Sequence, residues 1–433
     1  MSANVPERMK NAAKQKKYLV LVWALLFLIS ASYLFCRYKI TDEALFGGDT
    51  WSYQSLAVNL VSGHGYTFGE VEDLATYKFD EKARERFYYK KFVEEAGLSF
   101  GRTPVYPFFL ASIYKSFGIH PKYVKFVQLA MLAVSISLMP LIGLYYWSRT
   151  GFISGVAGAI LFVKYFCPDP NLIMAEPLLL FTMVLWTVSF IYWERSRNKR
   201  RTFLMGVMSA LVVLTKGTTI FLPFLFLLYL IYKRRKGQKK VAAVVTAFIL
   251  GISLLVLPWS IYASMKSGKF IILSTQGGNI ILDGNNEDSI ETGTWEPRWR
   301  KEGAGNMKYS HNRLEGSGYP AIAKVLIFMR QNTSKLPKLF KNKIVAGFRG
   351  ESVYVSVLGM LLYYFISIFR REKVPVFPML FFLNLLLLIL IMFGYYRHVT
   401  VFMYFILVPA SYLPFYLVKQ ASLLTKGKNS VYF

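Results

Sequence analysis

Apolar residues in this chain come in long blocks, not in the short alternations of strands or the narrow stripes of soluble helices. Runs stand at 18–36, 122–147, 150–168, 172–193, 202–232, 241–262, 352–369, 376–393 and 400–418. Each is close to or above the length of about 20 residues that crosses a bilayer as a helix. The pattern predicts an all-α polytopic membrane protein. Polar sequence fills the gaps, and the two widest, 37–103 and 263–351, predict two large loops.

Charge placement sets the sidedness. The clusters "KNAAKQKK", "ERSRNKRR" (194–201), "KRRKGQKK" (233–240), "RREK" (370–373) and the Lys-containing tail all flank apolar runs. The positive-inside rule puts them in the cytoplasm, so an even number of crossings must separate them. The run 202–232 has basic residues at both ends and "TKG" in its middle, so it predicts two short crossings turning at Lys216-Gly217. The apolar stretch 104–119 carries Lys115 and would break the parity if it crossed. It is therefore expected to lie flat on the outer face, with Thr103 as cap and Pro104 in its first turn. The outcome is about ten spans with both termini inside. The expected parts are a basic cytoplasmic tail 1–17, a membrane module 18–262 including outer loop 37–121, a second outer loop 263–351, C-terminal helices 352–418 and a cytoplasmic tail 419–433. The first run lacks a convincing cleavage site and is read as a retained helix.

Composition supports this class: 54% of residues are hydrophobic, more than a soluble chain of this size carries. The net charge of +28 does not point to nucleic acid, because the cations sit where topology requires them and no nucleic-acid motif is present. Two cysteines without motif spacing, and four histidines (His64, His120, His311, His398) without ligand spacing, indicate no metal site.

The topology puts the conspicuous ionisable residues at one leaflet boundary. Asp49, Arg102, Glu176, Lys216 and Arg397 all fall at outer helix ends, and charge at membrane depth marks a site. "GGDTWSYQSLAVNLVSG" predicts a short helix over 50–62, capped by Asp49 and ended by Gly63. Tyr53, Leu56, Ala57 and Leu60 would share the face that lies on lipid or packs on helices. Asp49 is then either a plain cap or a carboxylate at the headgroup level, with Asp42 and Glu43 as ordinary loop charges nearby. Arg102 is either an interfacial anchor or a phosphate grip. Glu176 in "DPNLIMAEPLLLF" is costly among apolar neighbours unless paired, and Lys216 is its natural counterpart. Arg397 tops another helix pair in "GYYRHVTVF". Residues 72–98 read as an exposed amphipathic helix, the stretch from Ser274 through "GGNIILDGNNEDSIETG" as turn-rich, and 319–348 as helices returning to the membrane surface.

These motifs stand in a familiar order: D-x-x-x-Y at Asp49 to Tyr53, then "RTPVYPFFLA", "AEPLLLF", "LTKGTTIFLP", "GGNIILDGNNE" and "YYRHVTVFMYFILVPA". The set resembles the GT-C superfamily of membrane glycosyltransferases. Within it, the likeness is to protein O-mannosyltransferases and the aminoarabinose transferases that act on lipid A. The resemblance implies a polyprenyl-phosphate-linked sugar as donor and a glycan, lipid or protein as acceptor. It implies Asp49 as the catalytic carboxylate and matches Arg102, Glu176 and Lys216 to family positions; Tyr53 and Arg397, within the quoted motifs, join them as candidate substrate-binding residues, and Arg102, Lys216 and Arg397 together carry the charge to hold a phosphate headgroup. The position of Arg102 is often Lys-Pro-Pro in the family, which is a departure here. Members of that branch generally work without a metal; a divalent ion held by Asp169 or Glu176 stays open as an alternative. One carboxylate acting in a single displacement predicts inversion. Competing readings are a lipid-linked oligosaccharide flippase, a polysaccharide polymerase or ligase of another fold, and a membrane scaffold.

Overall fold

The computed structural model describes residues 5–42, 49–67, 100–235, 241–294 and 320–429, and among them every regular element is helical. Each predicted apolar run has its own helical leg. α1 (Val5–Arg37) packs on α4 (Pro121–Tyr165), and α4 in turn packs on later helices of the bundle. α4 holds two of the predicted runs. Its chain reverses at Trp147 and Ser148, and Ser148 takes a left-handed φ of 57°. The two legs touch through small residues: a Cβ on Gly143 would strike the Gly151 carbonyl, and one on Gly155 would strike Pro140. Trp147 closes the turn by stacking on Tyr412 at 4.3 Å and donating from Nε1 to the Tyr363 hydroxyl at 2.9 Å.

α5 (Glu176–Glu194) leads to α6 (Lys199–Thr215), whose first turn is capped by the Asn198 side chain accepting from the Arg201 N–H. The chain then turns at Lys216, makes a short 3-10 turn (Gly217–Thr219) and returns as α7 (Phe221–Arg235), the hairpin expected at Lys216-Gly217. α6 also packs closely on α8 (Val241–Ser267). Gly206 lies against the Phe248 carbonyl and Gly251 against the Phe203 carbonyl, so the backbones approach as they do in membrane helix pairs with small interface residues. Indoles of the buried core satisfy their N–H groups on nearby hydroxyls: Trp186 on Ser209 and Trp193 on Thr202, each at 2.9 Å. Outward faces are apolar. Leu25, Leu254, Val355 and Phe365 are exposed, which suits contact with acyl chains.

α2 (Asp49–Val61) and α3 (Val105–Phe117) lie against each other beside this bundle. Gly63 follows α2 with φ 84°, as expected of a glycine past a helix end. The expectation of one apolar face is too narrow: residues 52–59 are buried all round the helix. Polar side chains there pair inward, with the Tyr106 hydroxyl on Gln128 at 2.6 Å and the Tyr114 hydroxyl on Gln54 at 3.3 Å. Thr103 does not cap α3. Its hydroxyl donates to the Thr215 carbonyl at 3.0 Å, and Pro104 takes the cap position. The Thr103 hydroxyl instead satisfies a carbonyl at the end of α6, where the last carbonyls lack intrahelical donors.

The second loop is more regular than expected. The supposed turn-rich stretch forms α9 (Gln276–Asp283) and α10 (Glu287–Thr292), the latter opened by a capping box between Asn286 and Ser289. α11 (Ala321–Gln331) and α12 (Leu336–Gly347) follow, as the periodicity predicted, packing on α9 and α10 respectively. α13 (Glu351–Phe369), α14 (Phe377–Ile391) and α15 (Tyr396–Asn429) complete the chain. The predicted helix 72–98, and Glu43, lie outside the described residues.

The α6–α8 contact yields a first prediction. Gly251→Val forces the Phe203 backbone away, and overpacking of this kind costs about 1–3 kcal/mol; the thermal midpoint in detergent should fall accordingly, whereas Leu254→Val on the lipid-facing side should leave it nearly unchanged.

Candidate active site

Five chain segments meet at one end of the bundle. Asp49 opens α2, Arg102 precedes α3, Glu176 opens α5, Lys216 stands at the hairpin tip, and Arg397 is in the first turn of α15. Their side chains form one continuous ion network. Arg102 donates from Nη2 to Asp49 Oδ1 at 2.6 Å, and Arg397 donates from Nη2 to Asp49 Oδ2 at 2.6 Å. Arg397 also donates from Nε to Glu176 Oε1 at 2.5 Å, and Lys216 Nζ reaches the same oxygen at 2.8 Å. All the candidates named from sequence are thereby brought together. Tyr53 joins them through its ring, which lies 5.2 Å from the Arg102 guanidinium carbon.

Asp49 does not behave as a simple cap. Both of its oxygens accept from guanidinium groups, which adds full opposite charge to each hydrogen bond. Burial pushes its carboxyl up, but Arg102, Arg397 and Lys216 outweigh that and hold it well below the usual carboxylate range. Burial lowers the Lys216 ammonium, although Glu176 opposes the shift. The Tyr53 phenol is raised, mainly by burial. The network is graded in access. Glu176 is the most enclosed at 7% side-chain exposure, while Asp49 at 26% and Arg397 at 30% face outward. Glu176 Oε1 takes two cations, and its buried Oε2 has no partner among the described residues.

Other charged groups stay apart. Asp42 pairs with His120 and Lys122 at the surface. Asp169 is exposed and accepts from the Asn171 N–H. No group of three His, Cys, Asp or Glu side chains among the described residues is placed to hold a metal ion. His398 stacks edge-on to Tyr395 at 5.3 Å beside the network.

Several partners were not legible from sequence. The Ser52 hydroxyl accepts from Arg102 Nε at 2.9 Å, and Gln276 Oε1 accepts from Arg102 Nη1 at 3.1 Å. The signal for Ser52 was its position three residues after Asp49, one helical turn along the same face. Gln276 comes from the second loop, and nothing in its sequence spacing links it to Arg102. The buried Lys343 of α12 also escaped notice. Among the described residues it has no carboxylate partner; it donates to Asn285 Oδ1 at 2.8 Å and to the Leu390 carbonyl at 2.9 Å.

Residues 101–262 match the family model of dolichyl-phosphate-mannose-protein mannosyltransferases, which belongs to the GT-C superfamily. The matched stretch contains Arg102, Glu176 and Lys216, whereas Asp49 and Arg397 lie before and after it. The match supports a membrane glycosyltransferase of the GT-C type. No curated protein and no solved structure matches the chain.

Two predictions come from these groups. Arg397→Gln leaves Asp49 and Glu176 each short of a cation. Breaking a buried pair costs about 3–5 kcal/mol, and the partial exposure of Arg397 reduces this to about 1–3 kcal/mol; thermal unfolding in detergent reads it. Burial lowers the Lys343 ammonium from 10.5 to about 7. Between those values the unfolded chain binds the proton that the native state has shed, so stability rises with pH across that window and is lost as pH falls through about 7. Lys343→Met should flatten the rise in thermal midpoint between those two pH values.

Proposed function

We propose that this protein moves a sugar from a polyprenyl-phosphate-linked donor to a glycan, lipid or protein acceptor at the outer face of the membrane, with Asp49 as general base. The observation that supports it best is the single network in which two carboxylates share three cations, drawn from five separate chain segments. A purely structural ion pair would not need such convergence, and cations held this way match a phosphate that gains charge as it leaves.

The reaction needs one displacement. The acceptor oxygen or nitrogen forms a bond to the anomeric carbon as the bond from that carbon to the phosphate oxygen breaks. The electron pair goes to the phosphate, and the acceptor proton goes to Asp49. One carboxylate acting on one face gives inversion. Arg102, Arg397 and Lys216 supply the charge that the leaving phosphate requires.

The resting network also bears on the role proposed for the donor. Asp49 holds a guanidinium on each oxygen and is a weak base in that state. A phosphodiester competes for the same guanidinium groups, and each bond it takes from Asp49 returns basicity to the carboxylate. Glu176 keeps Lys216 and Arg397 in place during this exchange.

The test is transfer by purified protein from a panel of radiolabelled polyprenyl-phosphate sugars to an envelope extract. Asp49→Asn should retain fold and membrane insertion while transfer falls by about 100- to 10 000-fold, the range that a lost general base removes. Retention of most activity would refute the assignment of Asp49. Label remaining on lipid with every donor while lipid crosses between leaflets of reconstituted vesicles would favour transport instead.

A further inference from the structure

The second loop reaches the ion network at one side chain. Gln276 is the first residue of α9, and its Oε1 accepts from Arg102 Nη1 at 3.1 Å. Its amide nitrogen makes no hydrogen bond to a described residue and is not among the buried polar atoms. Arg102 therefore has a different neighbour in each direction: Asp49 on Nη2, Ser52 on Nε, Gln276 on Nη1 and the Tyr53 ring along one side. A guanidinium is a planar fork, so these bonds together fix both its place and its plane.

α9 is pinned at both ends. At its start the Thr275 N–H donates to the Phe100 carbonyl at 2.9 Å, two residues before Arg102. Just past its end, the Asn285 amide nitrogen donates to the Ile281 and Ile391 carbonyls at 2.7 and 2.8 Å, while its Oδ1 accepts from Lys343 Nζ. Lys343 also binds the Leu390 carbonyl at the end of α14. Gly284 fits under the Met392 carbonyl, where a Cβ would collide. Burying a lysine with only neutral acceptors is costly, and no ion pair with a described residue offsets it here. A short helix of eight residues, about 12 Å long at 1.5 Å per residue, is thus fixed between the network and the C-terminal bundle.

We propose that Gln276 is a positioning residue of the phosphate-binding site, acting through Arg102, and that the buried Lys343–Asn285 clasp holds it there. This rests on the phosphate-binding role proposed for Arg102 above. Gln276 holds Nη1 so that the guanidinium keeps its plane when a phosphodiester takes the Asp49 side of the fork. Its free amide N–H group adds a neutral donor next to that phosphate.

The experiment uses the full chain in detergent and measures binding of radiolabelled polyprenyl monophosphate, with the uncharged polyprenol as a second probe. Gln276→Leu should weaken the phosphate by about tenfold, the size of one hydrogen bond to a charged group, and leave polyprenol binding unchanged. Lys343→Met should weaken it in the same direction, and Gln276→Leu/Lys343→Met should be no weaker than Gln276→Leu alone, because both act through one contact. Should Lys343→Met fail to fold, Asn285→Leu tests the same clasp, and Gln276→Leu stands independently. Arg102→Ala separates the two levels. If it binds like wild type, the phosphate-binding reading of Arg102 fails. If it is weakened while Gln276→Leu is not, only the role of Gln276 fails. Equal losses for phosphate and polyprenol in Gln276→Leu, or multiplicative losses in the double variant, would also overturn the proposal.

Discussion

Arg397 bridges the two carboxylates that this fold brings to one end of its bundle. One guanidinium reaches Asp49 through Nη2 and Glu176 through Nε. Without it, the end of α2 and the end of α5 would present like charges to each other in a poorly solvated place, and Lys216 alone would face Glu176. The bridge thus ties the segment that follows α1 to the middle hairpin and to the last helix. A planar cation with several fixed donors does this in a way a lysine cannot. The cost of partly burying it is met by two anions, and those anions are in turn kept ionised by it.

The bundle supplies the rigidity that such a bridge needs. Close backbone approach at Gly143–Gly151 and Gly206–Gly251 fixes helix pairs without bulky side chains between them. Aromatic packing around Trp186, Phe190, Trp193 and Phe226 fills the adjoining space. Asn384 adds a further tie by donating to the Thr218 carbonyl at 3.0 Å, which steadies the hairpin tip next to Lys216.

The same constraint bears on chemistry. A carboxylate with two guanidinium partners is stable as an anion and poor as a base. A site built to bind a phosphate gains from that arrangement, because the cations are oriented before the ligand arrives and need little reorganisation. Basicity of Asp49 then depends on what else the guanidinium groups hold. The second loop takes part in this balance through Gln276, so an element outside the stretch that matches the family model bears on Arg102.

How much of this was legible in the sequence follows from the range of each interaction. Hydrophobic run length and basic flanks determined the helical legs and the Lys216-Gly217 turn, because a bilayer selects length and charge locally. The order of short motifs was enough to bring Asp49, Arg102, Glu176, Lys216 and Arg397 together as candidates. Pairing was a different matter. That Arg397 spans both carboxylates, that Asp49 gives neither oxygen to its own helix, and that Thr103 serves α6 instead of α3 depend on which helix ends face each other. Gln276 and Lys343 were invisible for the same reason: their partners, Arg102, Asn285 and the Leu390 carbonyl, are distant in sequence. Periodicity reports the environment that a segment prefers; only tertiary packing decides which polar atoms come within hydrogen-bonding distance.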